Sequence, residues 1–232
     1  MNRFVLLVCA VFLSALVAFF PLRLAIAMGG LSSFPVTARA ADGTIWAGRL
    51  RGVALDNVAL GDFKTTVSAV DLLKGRFAFN LASLGADGAR ARVFATADGL
   101  GVEHLNAALA VPGAFAPLPI DTIELRDLDV SISGGKCRSA AGQVRVFLSP
   151  MIGTVSLGQQ LIGTVRCDGA AVLLPLASQS TLERARFRIA GDGQYTVQIS
   201  LKPSSPEDIA ALSAMGFRET PGGYVFELSG RL

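Results

Sequence analysis

Histidine is almost absent from this chain of 232 residues, and tryptophan and cysteine are rare: there are one His, one Trp and three Cys. An enzyme of the Ser–His–Asp or Cys–His type would have to use His104, because the chain has no other imidazole. A Cys₂His₂ zinc site needs two histidines and is therefore excluded. We predict that the protein is not an enzyme and that it carries no metal or other cofactor.

Charged residues are also scarce, at 17%, whereas apolar residues make up 51% of the chain and the mean hydropathy is +0.51. Soluble domains carry about 25% charged residues, so the excess of apolar residues needs a location. Residues Phe4–Phe20 provide one, because they contain no charge and would form a helix about 25 Å long. Arg3 precedes this run, and the positive-inside rule then places the N-terminus in the cytoplasm. We predict a cytoplasmic tail over residues 1–3, a transmembrane anchor over 4–22, a linker over 23–40 and a periplasmic β-domain over 41–232.

A cleaved signal peptide is the alternative interpretation of the same segment. Ala25-Ile26-Ala27 fits a small-x-small cleavage site. The apolar run, however, is longer than the roughly 7–15 residues of a signal-peptide core, and Arg23 is unusual so close to a cleavage site. In either case the rest of the chain is exported to the periplasm.

Export changes how two of the three cysteines are interpreted. Cys137 and Cys167 form an even pair in the exported part, and an oxidising compartment favours a disulfide between them. Closing a loop of about 30 residues would stabilise the fold by roughly 3–4 kcal/mol. Two buried thiols are the alternative. Cys9 lies within the apolar run and is predicted to be a small apolar side chain in a helix.

Most of the exported part alternates between apolar and polar residues, which is typical of strands that bury one face. Glycines punctuate these runs and indicate turns. We predict an all-β fold, an antiparallel meander that forms a curved sheet or two sub-sheets with a boundary at the Pro-rich residues 111–119. Ile123 and Leu125 have the opposite parity to Leu128, which predicts a bulge near Arg126. The clearest alternating runs are 128–133, 184–189, 195–202 and 224–229.

One short helix is predicted near the C-terminus. Ser205 is a suitable N-cap, Pro206 suits the first helical position, and acidic side chains follow in the first turn. Ile209, Leu212 and Met215 would share a face, and Gly216 suits the C-terminal end.

Candidate binding residues are few. Arg184, Arg186 and Arg188 form a basic stripe that could touch anionic lipid head groups or an acidic partner, although a strand face that is solvated or paired across strands is the favoured interpretation. His104, with Glu103 and Asn106 nearby, has no nucleophile beside it and is predicted to be a surface or structural residue. Nucleic acid is excluded as a partner, because only 7% of the residues are aromatic and export separates the chain from it.

A sequence motif and the order of the segments resemble a known family. The motif Gly43-Thr44-Ile45-Trp46-x-Gly48 opens the exported part, shortly after the anchor. A Gly-punctuated β-meander follows, and then a C-terminal block that contains Asp192-Gly193-Gln194-Tyr195, the short helix and Pro221-Gly222-Gly223-Tyr224. Together these features resemble the type II secretion system protein N family. Gly43, Thr44, Trp46 and Gly48 are therefore candidate motif residues.

The resemblance implies an inner-membrane accessory component of the machine that exports folded proteins from the periplasm across the outer membrane. It implies no catalytic residues, and its partners would be other secretion-system envelope proteins and the inner membrane. An alternative is a membrane-anchored β-ladder protein for lipid handling or envelope assembly. That protein would need a continuous apolar groove, with lipid contact at positions such as Phe77, Phe79, Val93 and Ala95.

Overall fold

The computed structural model describes residues 2–28, 36–55, 58–85, 88–112, 120–149, 151–152, 155–156, 160–203 and 205–231. The chain divides into two compact units, Met1–Gly88 (unit 1) and Ala89–Leu232 (unit 2). The boundary predicted at 111–119 lies mostly outside the described residues and stays a prediction.

Among its described residues, unit 1 combines three helices with four antiparallel strands in the order β1-β2-β3-β4. Two elements, α2 and the start of β1, fall within residues 23–40, where the sequence predicts a linker. The elements are α1 (Asn2–Ala18), α2 (Leu22–Met28), β1 (Val36–Thr44), β2 (Ala47–Leu55), β3 (Val58–Val67), α3 (Ala69–Leu73) and β4 (Phe77–Ser83).

The apolar N-terminal run folds as α1, which has 17 residues and ends at Ala18. In the part of the chain that the structure describes, no helix is both long enough and apolar enough to span a bilayer. The transmembrane helix predicted over residues 4–22 is therefore not confirmed. The helix does not continue past Pro21, a residue that pairs with Thr44 in an isolated β-bridge. The Phe20 carbonyl accepts a hydrogen bond from the Ile45 amide and not from the next helical turn.

Unit 2 is an antiparallel sheet in the order β5-β6-β7-β8-β11-β13-β14-β15-β17-β16, with β12 paired to β13 and a separate β9–β10 pair. The predicted all-β antiparallel fold with a short C-terminal helix is confirmed. The strands are β5 (Arg90–Thr96), β6 (Gly99–Ala110), β7 (Ile120–Ser133), β8 (Lys136–Leu148), β9 (Met151–Ile152), β10 (Val155–Ser156), β11 (Gln160–Thr164), β12 (Arg166–Asp168), β13 (Ala171–Ala177), β14 (Glu183–Ile189), β15 (Gln194–Leu201), β16 (Arg218–Thr220) and β17 (Gly223–Arg231); the helix is α4 (Pro206–Ala214).

The C-terminal helix has the predicted start. The Ser205 hydroxyl accepts a hydrogen bond from the Asp208 amide at 3.1 Å, and Pro206 is the first helical residue. Leu212 is fully buried in a cluster with Leu201, Phe217 and Tyr224. Ile209, which the sequence places on the same face, is 39% exposed. The buried face of α4 is therefore narrower than predicted.

Candidate functional site

The Gly43–Gly48 motif forms the hairpin between β1 and β2, where Thr44 pairs with Ala47. Gly43 has a φ of +86°, a conformation that side chains disfavour. At Gly48 a Cβ atom would lie 2.6 Å from Leu22 Cδ2 and 2.9 Å from Thr65 Cγ2. Glycine is needed at position 48 because α2 and β3 both approach the hairpin closely.

Trp46 connects this hairpin to the end of α1. Its indole Nε1 donates a hydrogen bond to the Val17 carbonyl at 2.9 Å. The last carbonyls of a helix have no partner within the helix, so this bond satisfies one of them. The Ile45 amide donates to Phe20 O at 3.1 Å, and the Val67 amide donates to Ile45 O at 2.9 Å. The motif therefore joins α1, β3 and the hairpin at one junction, which we call the helix–hairpin junction.

A core cluster lies under the helix–hairpin junction. Ala25, Ile45 and Val67 are buried at its centre, and partly buried aromatic and aliphatic side chains pack around them: Phe20, Trp46, Leu72, Phe77 and Phe79. The rings of Phe77 and Phe79 are 4.8 Å apart and nearly perpendicular. These two rings pack into the core of unit 1, an arrangement that counts against their lining an open lipid groove.

The basic stripe on β14 consists of exposed side chains in two different environments. Arg188 Nε lies 3.2 Å from Asp168 Oδ2 and forms an ion pair with it. Arg184 and Arg186 instead line a cavity of about 350 Å³. The alternation along β14 predicts that the three arginines share one face of the strand. It does not predict that Arg188 is paired while the other two line the cavity, because the pairing depends on Asp168, which is distant in sequence.

A polar cluster that the sequence does not reveal lies where β6 and β7 both bulge. His104 and Asp127 have φ values of +51° and +45°, and the strand register shifts beside each. The His104 amide donates to Asp129 Oδ1 at 2.7 Å. Asn106 Nδ2 donates to Asp127 Oδ1 at 2.9 Å, and the Asp127 amide donates to Asn106 Oδ1 at 3.0 Å.

These bonds satisfy backbone groups that the bulges remove from the ladder, so the cluster stabilises the sheet. The bulge predicted near Arg126 is confirmed. Only the change of parity along β7 indicates it in the sequence. His104 is exposed, as expected for a surface residue. Across the described residues, no group of three or more His, Cys, Asp or Glu side chains is placed to hold a metal ion.

Comparison with known protein families decides the relationship of the chain. Residues 35–227 match the family model described as Type II secretion system (T2SS), protein N. The chain belongs to the type II secretion system protein N family. The resemblance drawn from the Gly43–Gly48 motif and the order of segments is thereby confirmed, and this family indicates a role in type II secretion within the cell envelope. No curated protein and no solved structure gives a significant match.

The residues that match the family model include the hairpin motif, the basic stripe and the disulfide, whereas α1 and α2 precede them. The predicted disulfide is confirmed: Cys137 and Cys167 are bonded, with Cα atoms 5.7 Å apart. It joins β8 to β12, a strand whose one paired neighbour among the described residues is β13. The Cys137 amide also donates to Ala170 O at 2.8 Å, so this bond and the disulfide fix the β12–β13 turn to β8.

Tyr224 has a phenol whose pKa is raised. It lies in the cluster around Leu212 and pairs across the strands with Glu219. Burial raises the pKa of the Tyr224 phenol above 10.0, and the nearby Glu219 carboxylate raises it further. The cluster therefore favours the neutral phenol.

Proposed function

We propose that this protein is a non-catalytic accessory component of the type II secretion system, held at the inner membrane by its N-terminal helix and docking other components from the periplasm. The family match over residues 35–227 carries this proposal. Partners are then other proteins of the same machine.

The surface of α1 supports attachment to the membrane. Large apolar side chains cover the helix and are exposed, among them Phe4 at 75%, Leu7 at 64% and Phe12 at 68%. An exposed apolar surface of this extent favours an apolar environment such as the bilayer. Arg3 precedes the run, and the positive-inside rule favours a cytoplasmic N-terminus with the β-units in the periplasm.

The packing of α2 supports retention of the N-terminal segment over its removal by signal peptidase. Leu22 is 1% exposed and Ala25 is 6% exposed, so both belong to the core of unit 1. Arg23 Nε donates to Ala41 O at 2.7 Å, which ties α2 to the edge of β1. Cleavage after Ala27 would remove all three contacts and leave a cavity beside Gly48.

Strand edges and polar strand faces are the surfaces that support docking. Edge strands expose backbone donors and acceptors that a partner strand can pair with. In unit 2 the short strand β16 lies at one end of the sheet order. In unit 1 the edge strand β1 is partly covered, because Pro21 and Arg23 bond to it at Thr44 and Ala41. The docking surfaces that this leaves open are the free part of β1, β16 and the basic stripe.

Deletion of the gene in its native host tests the function directly. We expect folded secretion substrates to accumulate in the periplasm and full-length protein to restore their release. In native membranes, chemical crosslinking followed by mass spectrometry should recover other components of the secretion system. Normal secretion in the deletion strain, together with recovery of lipid alone, would overturn the proposal in favour of lipid handling.

A further inference from the structure

The cavity beside the basic stripe is built by two rows of side chains on one face of unit 2. In the first row, Ala177, Arg184 and Ser200 lie directly opposite one another on β13, β14 and β15. In the second row, two residues further along β14, the register aligns Pro175, Arg186 and Gln198. Ile162 on β11 extends the first row, since it pairs with Ala177. All seven residues line the cavity.

The side chains that line this cavity combine charged, polar and apolar groups. Arg184 and Arg186 supply two guanidinium groups, while the Gln198 amide and the Ser200 hydroxyl can donate further hydrogen bonds. Ile162 and Pro175 supply apolar surface at one side. The cavity volume of about 350 Å³ is near the lower end for ligand sites, which suits one or two side chains.

The two cavity arginines have no anionic partner within the described chain. No described carboxylate forms an ion pair with Arg184 or Arg186, whereas Arg188 on the same strand is paired with Asp168. The neighbouring Glu183 is buried, and its carboxylate accepts a hydrogen bond from the Ser180 hydroxyl at 3.0 Å. Glu227 lies on β17, opposite Gln198, and is therefore one strand further from the arginines than Gln198 is. Neither cavity guanidinium is therefore neutralised by an ion pair within the described residues.

We propose that this cavity binds an extended acidic segment of a partner protein, with carboxylates at alternate positions. Residues two apart on a strand are separated by about 6.6–6.8 Å, and alternate side chains of an extended peptide have the same spacing. Each guanidinium can hold one carboxylate through two parallel hydrogen bonds. Gln198 and Ser200 add donors beside them, and Ile162 and Pro175 contact the methylene groups of the acidic side chains.

A phospholipid fits these observations less well than a peptide. The register presents two guanidinium groups about 6.6–6.8 Å apart, which matches two carboxylates at alternate positions of an extended peptide, whereas a phosphodiester offers a single anionic group. The cavity volume of about 350 Å³ is also near the lower end for ligand sites, which leaves little room for acyl chains. This assignment deepens the proposed docking function and rests on it.

A binding experiment on the full-length protein in detergent tests the assignment. The probe is a fluorescent peptide Ser-Glu-Ser-Glu-Ser, compared with Ser-Gln-Ser-Gln-Ser. We expect only the acidic peptide to bind, and the double variant R184Q/R186Q to bind it at least about tenfold more weakly, as charged hydrogen bonds are lost. R188Q is the matched control, because it removes the same charge from the same strand outside the cavity; we expect its affinity to change by less than about twofold.

Two results would overturn the assignment. One is equal peptide affinity of the wild type and R184Q/R186Q, with both shown to be folded by circular dichroism. The other is binding by the wild type, dependent on Arg184 and Arg186, to vesicles of phosphatidylglycerol and phosphatidylethanolamine but not to the peptide. Should R184Q/R186Q fail to fold, R184K/R186K keeps both charges and should bind the peptide with intermediate affinity; unchanged affinity would count against the bidentate geometry.

Secretion assays separate this inference from the function on which it rests. If the deletion strain secretes normally, the proposed function fails whatever the peptide does. If the deletion strain fails to secrete and R184Q/R186Q restores secretion fully, the docking function stands and the cavity assignment fails. Loss of both peptide binding and secretion in R184Q/R186Q, with R188Q normal, is the result we expect.

Discussion

The two units reach stability by different means. Unit 1 packs aromatic side chains around a small centre, with Phe20, Trp46, Phe77 and Phe79 surrounding Ala25, Ile45 and Val67. Helix α2 and strand β3 both approach Gly48 closely. The buried residues of the long sheet in unit 2 are mainly aliphatic, among them Val144, Val146, Leu161, Leu176 and Val197, and a disulfide reinforces it.

This difference follows from the number of strands available. Four strands and the short helices α2 and α3 bury little area, so large aromatic side chains fill the space between them. A longer run of strands satisfies most of its backbone through ladders, and its weak places are strands such as β12 that pair on one side only. Unit 1 is therefore expected to be sensitive to volume changes, and unit 2 to loss of its crosslink.

The largest expected effect is on unit 2. Replacing both bridging cysteines, in C137S/C167S, should lower the free energy of unfolding by about 3–4 kcal/mol, because the unfolded chain regains the freedom of a loop of about 30 residues. Hydrogen exchange should then accelerate in β12 and β13 more than in β1–β4. Denaturant unfolding and exchange mass spectrometry provide the measurement.

The matched control for the crosslink is C9S, which removes the one free cysteine among the described residues. It should leave the unfolding free energy unchanged. Reducing agent should lower the stability of wild type but not of C137S/C167S. Equal acceleration of hydrogen exchange in both units would show that the crosslink does not act locally, and would contradict the proposed difference between unit 1 and unit 2.

A smaller effect is expected from volume added to unit 1. Gly48→Ala should destabilise it by about 1–3 kcal/mol, since the new methyl group would press against Leu22 and Thr65. The fluorescence of Trp46, the single tryptophan, reports directly on this junction. Gly85→Ala in the same unit is the control, because its nearest neighbour would be Ser83 Oγ at 3.4 Å. Equal unfolding midpoints for the two variants would contradict tight packing at position 48.

Loss of a single hydrogen bond in unit 1 should cost less. Trp46→Phe keeps an aromatic ring but removes the donor to Val17 O, and we expect about 1 kcal/mol of destabilisation. Amide exchange near residues 17–20 should increase, because the indole no longer holds the end of α1. Protection of these amides at the wild-type level would show that the indole bond does not hold α1.

The smallest effect concerns the C-terminal cluster of unit 2. The folded pKa of Tyr224 is raised, so the neutral phenol contributes stability that is complete below pH 10.0 and lost as the pH rises through the folded pKa. Thermal unfolding temperatures should therefore fall above about pH 10. Tyr224→Phe should flatten this fall, whereas Tyr195→Phe, the change at the other tyrosine, should preserve it. A fall of the same size in all three proteins would exclude Tyr224 as its source.

Local patterns predict much of this fold because they act over short distances. Alternation along 195–201 gives β15, the Ser205-Pro206 start gives α4, and the parity change between Leu125 and Leu128 gives the bulge. The end of α1 is different. Hydropathy continues through Leu22, but the Ile45 amide captures the Phe20 carbonyl from a position 25 residues away.

Local sequence patterns also predict the candidate functional surfaces only in part. The stripe of three arginines on β14 is visible in the sequence as alternation. Which of them is neutralised depends on Asp168, placed opposite Arg188 by the β12–β13 hairpin. The bulge cluster likewise joins Asn106 to Asp127 across 21 residues. No pattern of spacing along the chain encodes such pairings.

The helix–hairpin junction also sets how force would travel. A pull on α1 loads two bonds in parallel, from Trp46 to Val17 and from Ile45 to Phe20. From Ile45 the load passes directly to Val67, the last residue of β3, so tension also reaches a strand other than β1. The strands of unit 1 would then move together with α1.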